Sequence, residues 1–152
     1  MKIYLDTNII MDVLVGPSRT NYPYSIKILN AIEKNSRLTG IFSVQSLTDI
    51  AYTQTKFGEN NRKLFYEQVK QLLKIVKLVT IKPANADEAI WAEPVDFEDH
   101  EQILCAEDND CSWFITGDLK LLNNYQNTPE RIPVVSPKEF LEMASKKRTK
   151  TV

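Results

Sequence analysis

The first ten residues, MKIYLDTNII (1–10), decide how the rest of the chain is read. A short apolar burst, KIYL (2–5), stops at Asp6, and two small polar residues, Thr7 and Asn8, follow before apolar residues resume. KIYL has the length and composition of a buried β-strand. An acid directly after such a strand either caps the following helix or carries a functional carboxylate to the strand's end. Four further stretches, IFSV (41–44), KLVTI (77–81), SWFIT (112–116) and PVVS (133–136), look like KIYL.

Helical patterns lie between them. PYSIKILNAIEKN (23–35) spaces Ile26, Leu29 and Ile32 by three; VQSLTDIAYTQTKF (44–57) follows, and NNRKLFYEQVKQLLKIV (60–76) puts Phe65, Val69, Leu72 and Leu73 on one stripe. ADEAIWAE (86–93), FEDHEQILCAED (97–108), DLKLLNN (118–124) and PKEFLEMASKKR (137–148) complete the set, the last with proline in the first turn. Short strands alternating with helices imply crossover connections, hence an α/β domain with a five-stranded, mainly parallel sheet flanked by helices on both faces. The expected organisation is one domain over residues 1–145 and a loose basic tail over 146–152.

Composition narrows the classes. A chain of 152 residues with 43% hydrophobic and 26% charged residues is ordinary for a globular protein, and at this size roughly 70% of the unfolded surface is buried. No stretch approaches the ~18 apolar residues of a membrane span, and Asp6 interrupts the N-terminal apolar run before it could act as a signal peptide, so a cytoplasmic address is expected. Cys105 and Cys111 lack the spacing of a zinc site or a disulfide framework and read as reduced structural residues. A net charge of −1 does not by itself announce a nucleic-acid binder.

The acids are more informative. Ligands of open α/β sheets bind outside the carboxyl ends of the strands. Asp6 follows KIYL at once and Asp118 follows SWFIT after Gly117, so both carboxylates are delivered to one edge of the sheet. Asp96 is a natural helix cap, and Asp99 shares a helical face with Ile103 and Ala106 at i, i+4, i+7, which aims it inward. Asp49, between Leu47 and Ile50, sits near a helix start, where an acid complements the dipole. Clustered carboxylates raise one another's pKa unless a cation neutralises them, and oxygen ligands without histidines select Mg²⁺ or Mn²⁺.

LDTNIIMDVL, SLTDIAY, DFEDHEQILCAEDNDCSWFITGD and VVSPKEFL, taken as an ordered set, resemble the PIN domain, especially the bacterial branch that includes VapC-type toxins of toxin–antitoxin pairs. The resemblance runs from Met1 to about Met143. It implies a five-stranded parallel sheet and metal-dependent cleavage of RNA by a quartet of acids. Residue by residue, it assigns metal binding to Asp6, Asp99 and Asp118, and the position of the family's usual glutamate to Asp49. That replacement shortens the side chain by one methylene, about 1.5 Å of reach. Asn8 and Thr116 match small polar positions that orient the carboxylates through hydrogen bonds. The implied partners are an RNA substrate, an antitoxin protein and a second copy of the chain, with no membrane.

Other chemistry-bearing residues have plainer readings. His100, the only histidine, is turned ~100° from Asp99 along the helix and reads as a surface or interface residue rather than a base. Trp91, Trp113 and Tyr52 read as core or groove filling rather than base-stacking platforms. The leading expectation is a Mg²⁺/Mn²⁺-dependent endoribonuclease. A phosphoaspartyl phosphotransferase of the haloacid-dehalogenase type is a weaker fit, because its second aspartate would fall where Asn8 stands. A PIN-like module that binds RNA or protein without cutting, and a processing RNase that is not a toxin, remain as rivals.

Overall fold

The computed structural model describes residues 1–55, 59–92, 96–125 and 128–149. Five parallel strands form one sheet in the order β3-β2-β1-β4-β5. They are β1 (Lys2–Leu5), β2 (Thr39–Ser43), β3 (Lys77–Val79), β4 (Trp113–Ile115) and β5 (Val134–Val135). Each coincides with one of the five expected stretches, and β1 is central, pairing with β2 and β4.

Among the described residues there are eight helices, seven between strands and one after the last: α1 (Thr7–Val15), α2 (Tyr22–Lys34), α3 (Val44–Thr55), α4 (Glu59–Leu72), α5 (Pro83–Trp91), α6 (Phe97–Asp108), α7 (Leu119–Tyr125) and α8 (Pro137–Thr149). The expected helical ends Lys56, Phe57 and Glu93 lie outside the described residues. Helix α8 runs to Thr149.

Side-chain alternation along β1 divides the interior. Ile3 and Leu5 join one core with Ile10 of α1, Ile28 of α2, Ile50 of α3, Phe65 of α4 and Phe140 of α8. Tyr4 points the other way into a second core with Ile103 of α6 and Leu121 of α7, and its ring stacks on Phe114 with centroids 5.0 Å apart. Successive strand residues must face opposite sides of a sheet, so a four-residue strand with three fully buried positions needs helices on both faces. Burial of each such large apolar side chain contributes roughly 1.5–3 kcal/mol.

The buried stripe of α2 is Ser25, Ile28, Leu29 and Ile32, so Ile28 rather than the expected Ile26 faces the core. The i, i+3, i+4, i+7 spacing from Ser25 describes the face better than strict steps of three, which drift round a helix of 3.6 residues per turn. On α4, Phe65, Val69 and Leu72 are buried while Leu73 is exposed. Cys105 and Cys111 are both free, as expected, and burial pushes both thiols above their ordinary pKa. Among the described residues, no helix is long and apolar enough to cross a membrane.

Candidate active site at the carboxyl edge of the sheet

All strands run the same way, so the residues that leave them collect at one edge. Asp6 leaves β1 and Asp118 leaves neighbouring β4. Helix α6 runs back toward the start of β4, which places its first turn, with Glu98 and Asp99, at that same edge. Helix α3 starts immediately beyond β2 and brings Asp49 there from the other side of β1.

Asp6 and Asp118 resolve the choice between cap and functional group in opposite ways. Asp118 is exposed and caps α7: its Oδ1 accepts from the N–H groups of Lys120 (2.7 Å) and Leu121 (3.2 Å). Asp6 occupies the N-cap position of α1 but makes no side-chain cap bond. Its carboxylate is buried, and Oδ2 accepts instead from the hydroxyl of Thr116 (2.6 Å) and the amide of Asn8 (2.5 Å). Thr116 is fully saturated, because the oxygen that donates to Asp6 also accepts from Asn8 Nδ2 (3.0 Å) and from the Asp118 N–H (2.9 Å). Asn8 closes the ring by accepting the Gly117 N–H at its Oδ1 (2.8 Å). Three of these five bonds tie the end of β1 to the end of β4, and two of the five fix one oxygen of Asp6.

Electrostatics set these acids apart from surface carboxylates. Burial pushes the Asp6 pKa up to about 7; the Thr116 hydrogen bond opposes the rise, and the charges of Asp99 and Glu98 add to it. Asp99 is pushed up to about 6 by burial and by Asp96, Asp118 and Glu98, with Lys120 pulling it down. Three carboxylates expected from the sequence, Asp6, Asp99 and Asp118, therefore share one electrostatic neighbourhood.

Asp49 stands apart. It is half-buried, its carboxylate is held by Gln45 Nε2 at 3.3 Å, and its charge acts on Glu98 and Glu101, raising the pKa of each after burial. Glu98 was not singled out from the sequence. It is tethered by Gln102 (3.2 Å), whose amide also reaches Thr7 (3.4 Å), and the buried Ser46 donates to Gln102 (3.4 Å). A polar seam thus links α6 to the starts of α1 and α3. Asp96 caps α6 as expected, accepting from the Asp99 N–H (3.4 Å).

The reading of His100 as a surface residue is overturned. It is 5% exposed, and its Nδ1 lies 2.5 Å from the hydroxyl of Tyr125 on α7. Burial lowers its pKa, and Arg131 adds to that effect. Trp113 packs against the core as expected, whereas Trp91 and Tyr52 are 81% and 74% exposed, not core filling.

The donor set can be tested against a divalent cation. Like charges, oxygen donors and raised proton affinities are the chemistry of a hard-cation site. Among the described residues, no three His, Cys, Asp or Glu side chains close around one point.

A family comparison agrees with this architecture. The PIN domain profile matches residues 2–120. The chain belongs to the PIN domain family. By sequence alone, no curated protein matches it at a significant level. Among solved structures it is similar to VapBC2 from Rickettsia felis bound to a fragment of promoter DNA (14% identity, 90% of this chain and 98% of that one, TM-score 0.64). It is also similar to VapBC-1 from nontypeable Haemophilus influenzae (15% identity, 91% and 99% coverage, TM-score 0.63). A third is Mycobacterium tuberculosis VapC20, a sarcin–ricin loop cleaving toxin (8% identity, 80% and 94% coverage, TM-score 0.61). At these identities the likeness is one of fold.

Proposed function

We propose that this protein is a Mg²⁺- or Mn²⁺-dependent endoribonuclease that hydrolyses RNA phosphodiester bonds and acts as the toxin of a toxin–antitoxin pair. The observation that carries the reading is the clamp on Asp6, in which Thr116 and Asn8 hold one oxygen of a buried acid beside Asp99 and Asp118. Burying a carboxylate among other carboxylates is costly, and a fold keeps such a group where a cation will compensate it. Asp6, Asp99 and Asp118 would hold the ion, with Asp49 assisting from α3. A bound divalent cation would activate water and offset charge developing on the phosphodiester.

The chain's own groups do the positioning. The Thr116 hydroxyl, committed to Asp6, orients that carboxylate and holds the Asp118 backbone in register with it. The Asn8 amide keeps the Gly117 N–H from facing the site unpaired. Lys120, whose charge reaches Asp99, is placed to meet a phosphate at the edge of the site. An antitoxin partner fits the same reading, since similar folds occur in VapBC2 of R. felis and VapBC-1 of H. influenzae, and a second copy of the chain belongs to the proposal as well. A cytoplasmic location goes with it.

Purified protein incubated with single-stranded and structured RNA in Mg²⁺, Mn²⁺ or EDTA, beside Asp6→Asn and Asp118→Asn, tests the activity. Metal-dependent cutting lost in both variants is the expected result. Growth arrest on expression in bacteria, relieved by Asp6→Asn, tests the toxin role. Asp49, standing where the family's usual glutamate is expected, favours a second reading, a PIN module that binds without cutting; a folded, partner-free protein that neither binds Mn²⁺ nor cuts would favour it.

A further inference from the structure

We propose that the turn between α1 and α2 forms a binding subsite for an RNA backbone phosphate beside the acids, with Asn21 as its contact residue. This rests on the nuclease reading for its substrate and on separate geometry for its place.

The geometry begins at Asp12, an acid buried to 3% exposure on α1, outside the acidic cluster. Its two oxygens accept from Arg19 Nε (2.9 Å) and Ser25 Oγ (2.9 Å), so one carboxylate staples α1, the following turn and α2 together. The turn is tightly wound: Gly16, at φ +94°, donates to the Asp12 carbonyl, Arg19 N–H to Gly16, and Tyr22 N–H to Arg19. A side chain at position 16 would be strained in that conformation. A turn held by a buried carboxylate paired with a half-exposed guanidinium, and by successive backbone bonds, is a firm support.

Asn21, at its end, projects toward the acids. A Cβ on Gly117 would lie 2.5 Å from Asn21 Nδ2 and 3.3 Å from Asn8 Oδ1, so the glycine before Asp118 makes room for the Asn21 amide. Among the described residues that amide has no hydrogen-bond partner, although Asn21 is half-buried and its carbonyl caps α2. Ser18, Arg19, Thr20 and Asn21, with Asp12 behind them, line an open concavity of about 340 Å³. Its lining residues carry two hydroxyls, an amide, and a guanidinium paired with the Asp12 carboxylate, which also lines it.

That donor set suits a phosphate beside a site that must also hold cations. A free lysine here would pair with the carboxylates and compete with the metal. A neutral amide and a charge-balanced guanidinium donate hydrogen bonds without doing so. An acidic peptide would meet the same donors but also the repulsion of Asp99 and Asp118; an RNA strand brings its phosphate with the metal that neutralises them.

The test is RNA affinity in the full-length chain carrying Asp118→Asn to stop cutting, measured in Mg²⁺ by polarisation of a short fluorescein-labelled single-stranded RNA. Asn21→Ala is expected to weaken binding about tenfold or more, as for loss of a hydrogen bond to a charged group, and the isosteric Asn21→Asp to weaken it further. Both should melt within a degree or two of the parent. An amide that only filled space would tolerate the isostere, so unchanged binding by Asn21→Asp overturns the assignment. If the parent chain with Asp118 intact fails to cut but binds RNA in an Asn21-dependent manner, the subsite stands and the nuclease reading falls. If no RNA is bound at all, both fall.

Discussion

Asp6, at the end of β1, and Asp49, on the helix that follows β2, lie toward the same edge of the sheet, yet the protein treats them differently. Asp6 is buried and clamped by Thr116 and Asn8, with its pKa pushed up to about 7. Asp49 is half-buried, leans on one flexible glutamine and spends its charge on Glu98 and Glu101. The first is preorganised, because the cost of holding a carboxylate in place is met during folding. The second must be recruited, and its contribution has to survive the loss of side-chain freedom on recruitment.

The sharpest way to break this comparison is to remove each acid in turn. Asp6→Asn should lower cutting by about a thousandfold or more, several kcal/mol of lost transition-state stabilisation. Asp49→Asn should cost only about tenfold, near 1.4 kcal/mol. Equal losses in single-turnover RNA cleavage would show that α3 is preorganised in solution and that the difference between the two sides is illusory.

The clamp itself comes next. Thr116→Val keeps the shape of the side chain but leaves Asp6 Oδ2 without its hydroxyl and the Asp118 N–H without its acceptor. Asp6 Oδ2 keeps the Asn8 amide, so what is lost is one hydrogen bond to a buried carboxylate and one to a backbone N–H; urea denaturation should show a stability loss of ~1–3 kcal/mol, and cutting should fall between tenfold and a hundredfold. A variant that loses stability alone would reduce Thr116 to a folding residue.

Asp49→Glu sharpens the other side. Restoring one methylene should tighten Mn²⁺ binding by a few-fold in calorimetry if reach is what limits Asp49. Weaker binding would point to crowding against Glu98 instead.

These contrasts also explain what was legible in the sequence. Asp6, Asp99 and Asp118 could be placed because strand ends and helical faces are local patterns: an apolar burst fixes where the acid emerges, and Ile103 and Ala106 fix which way Asp99 turns. The same locality failed at His100, whose burial depends on Tyr125, a partner one helix later. It failed again at Asp12 and Asn21, since neither the Asp12–Arg19–Ser25 staple nor the approach of Asn21 to Gly117 leaves a periodic trace. Trp91 and Tyr52 were misjudged because composition favours burial of aromatics, while only tertiary packing decides it.

The last effect is on stability rather than on rate, and it follows from the sign of the Asp6 shift. Its folded pKa, about 7, lies above the ordinary 3.8, so the folded state holds a proton that the unfolded chain releases. Stability from this group is complete below about pH 4 and is lost as pH rises toward 7, then stays level. Asp99, pushed up to about 6, acts in the same direction but is better screened by solvent. His100 opposes both, because its lowered pKa withdraws stability as pH falls through about 6.5; it is untouched in Asp6→Asn. The measurable quantity is therefore the difference between the parent and Asp6→Asn in urea melts without divalent metal. The variant should gain relative to the parent as pH climbs from 4 to 7, and Mn²⁺ added at pH 8 should restore the parent, since metal binds the ionised, folded form. Parallel pH profiles would mean that Asp6 is not held against its charge in the folded protein, and the distinction drawn between the two sides of the site would lose its electrostatic basis.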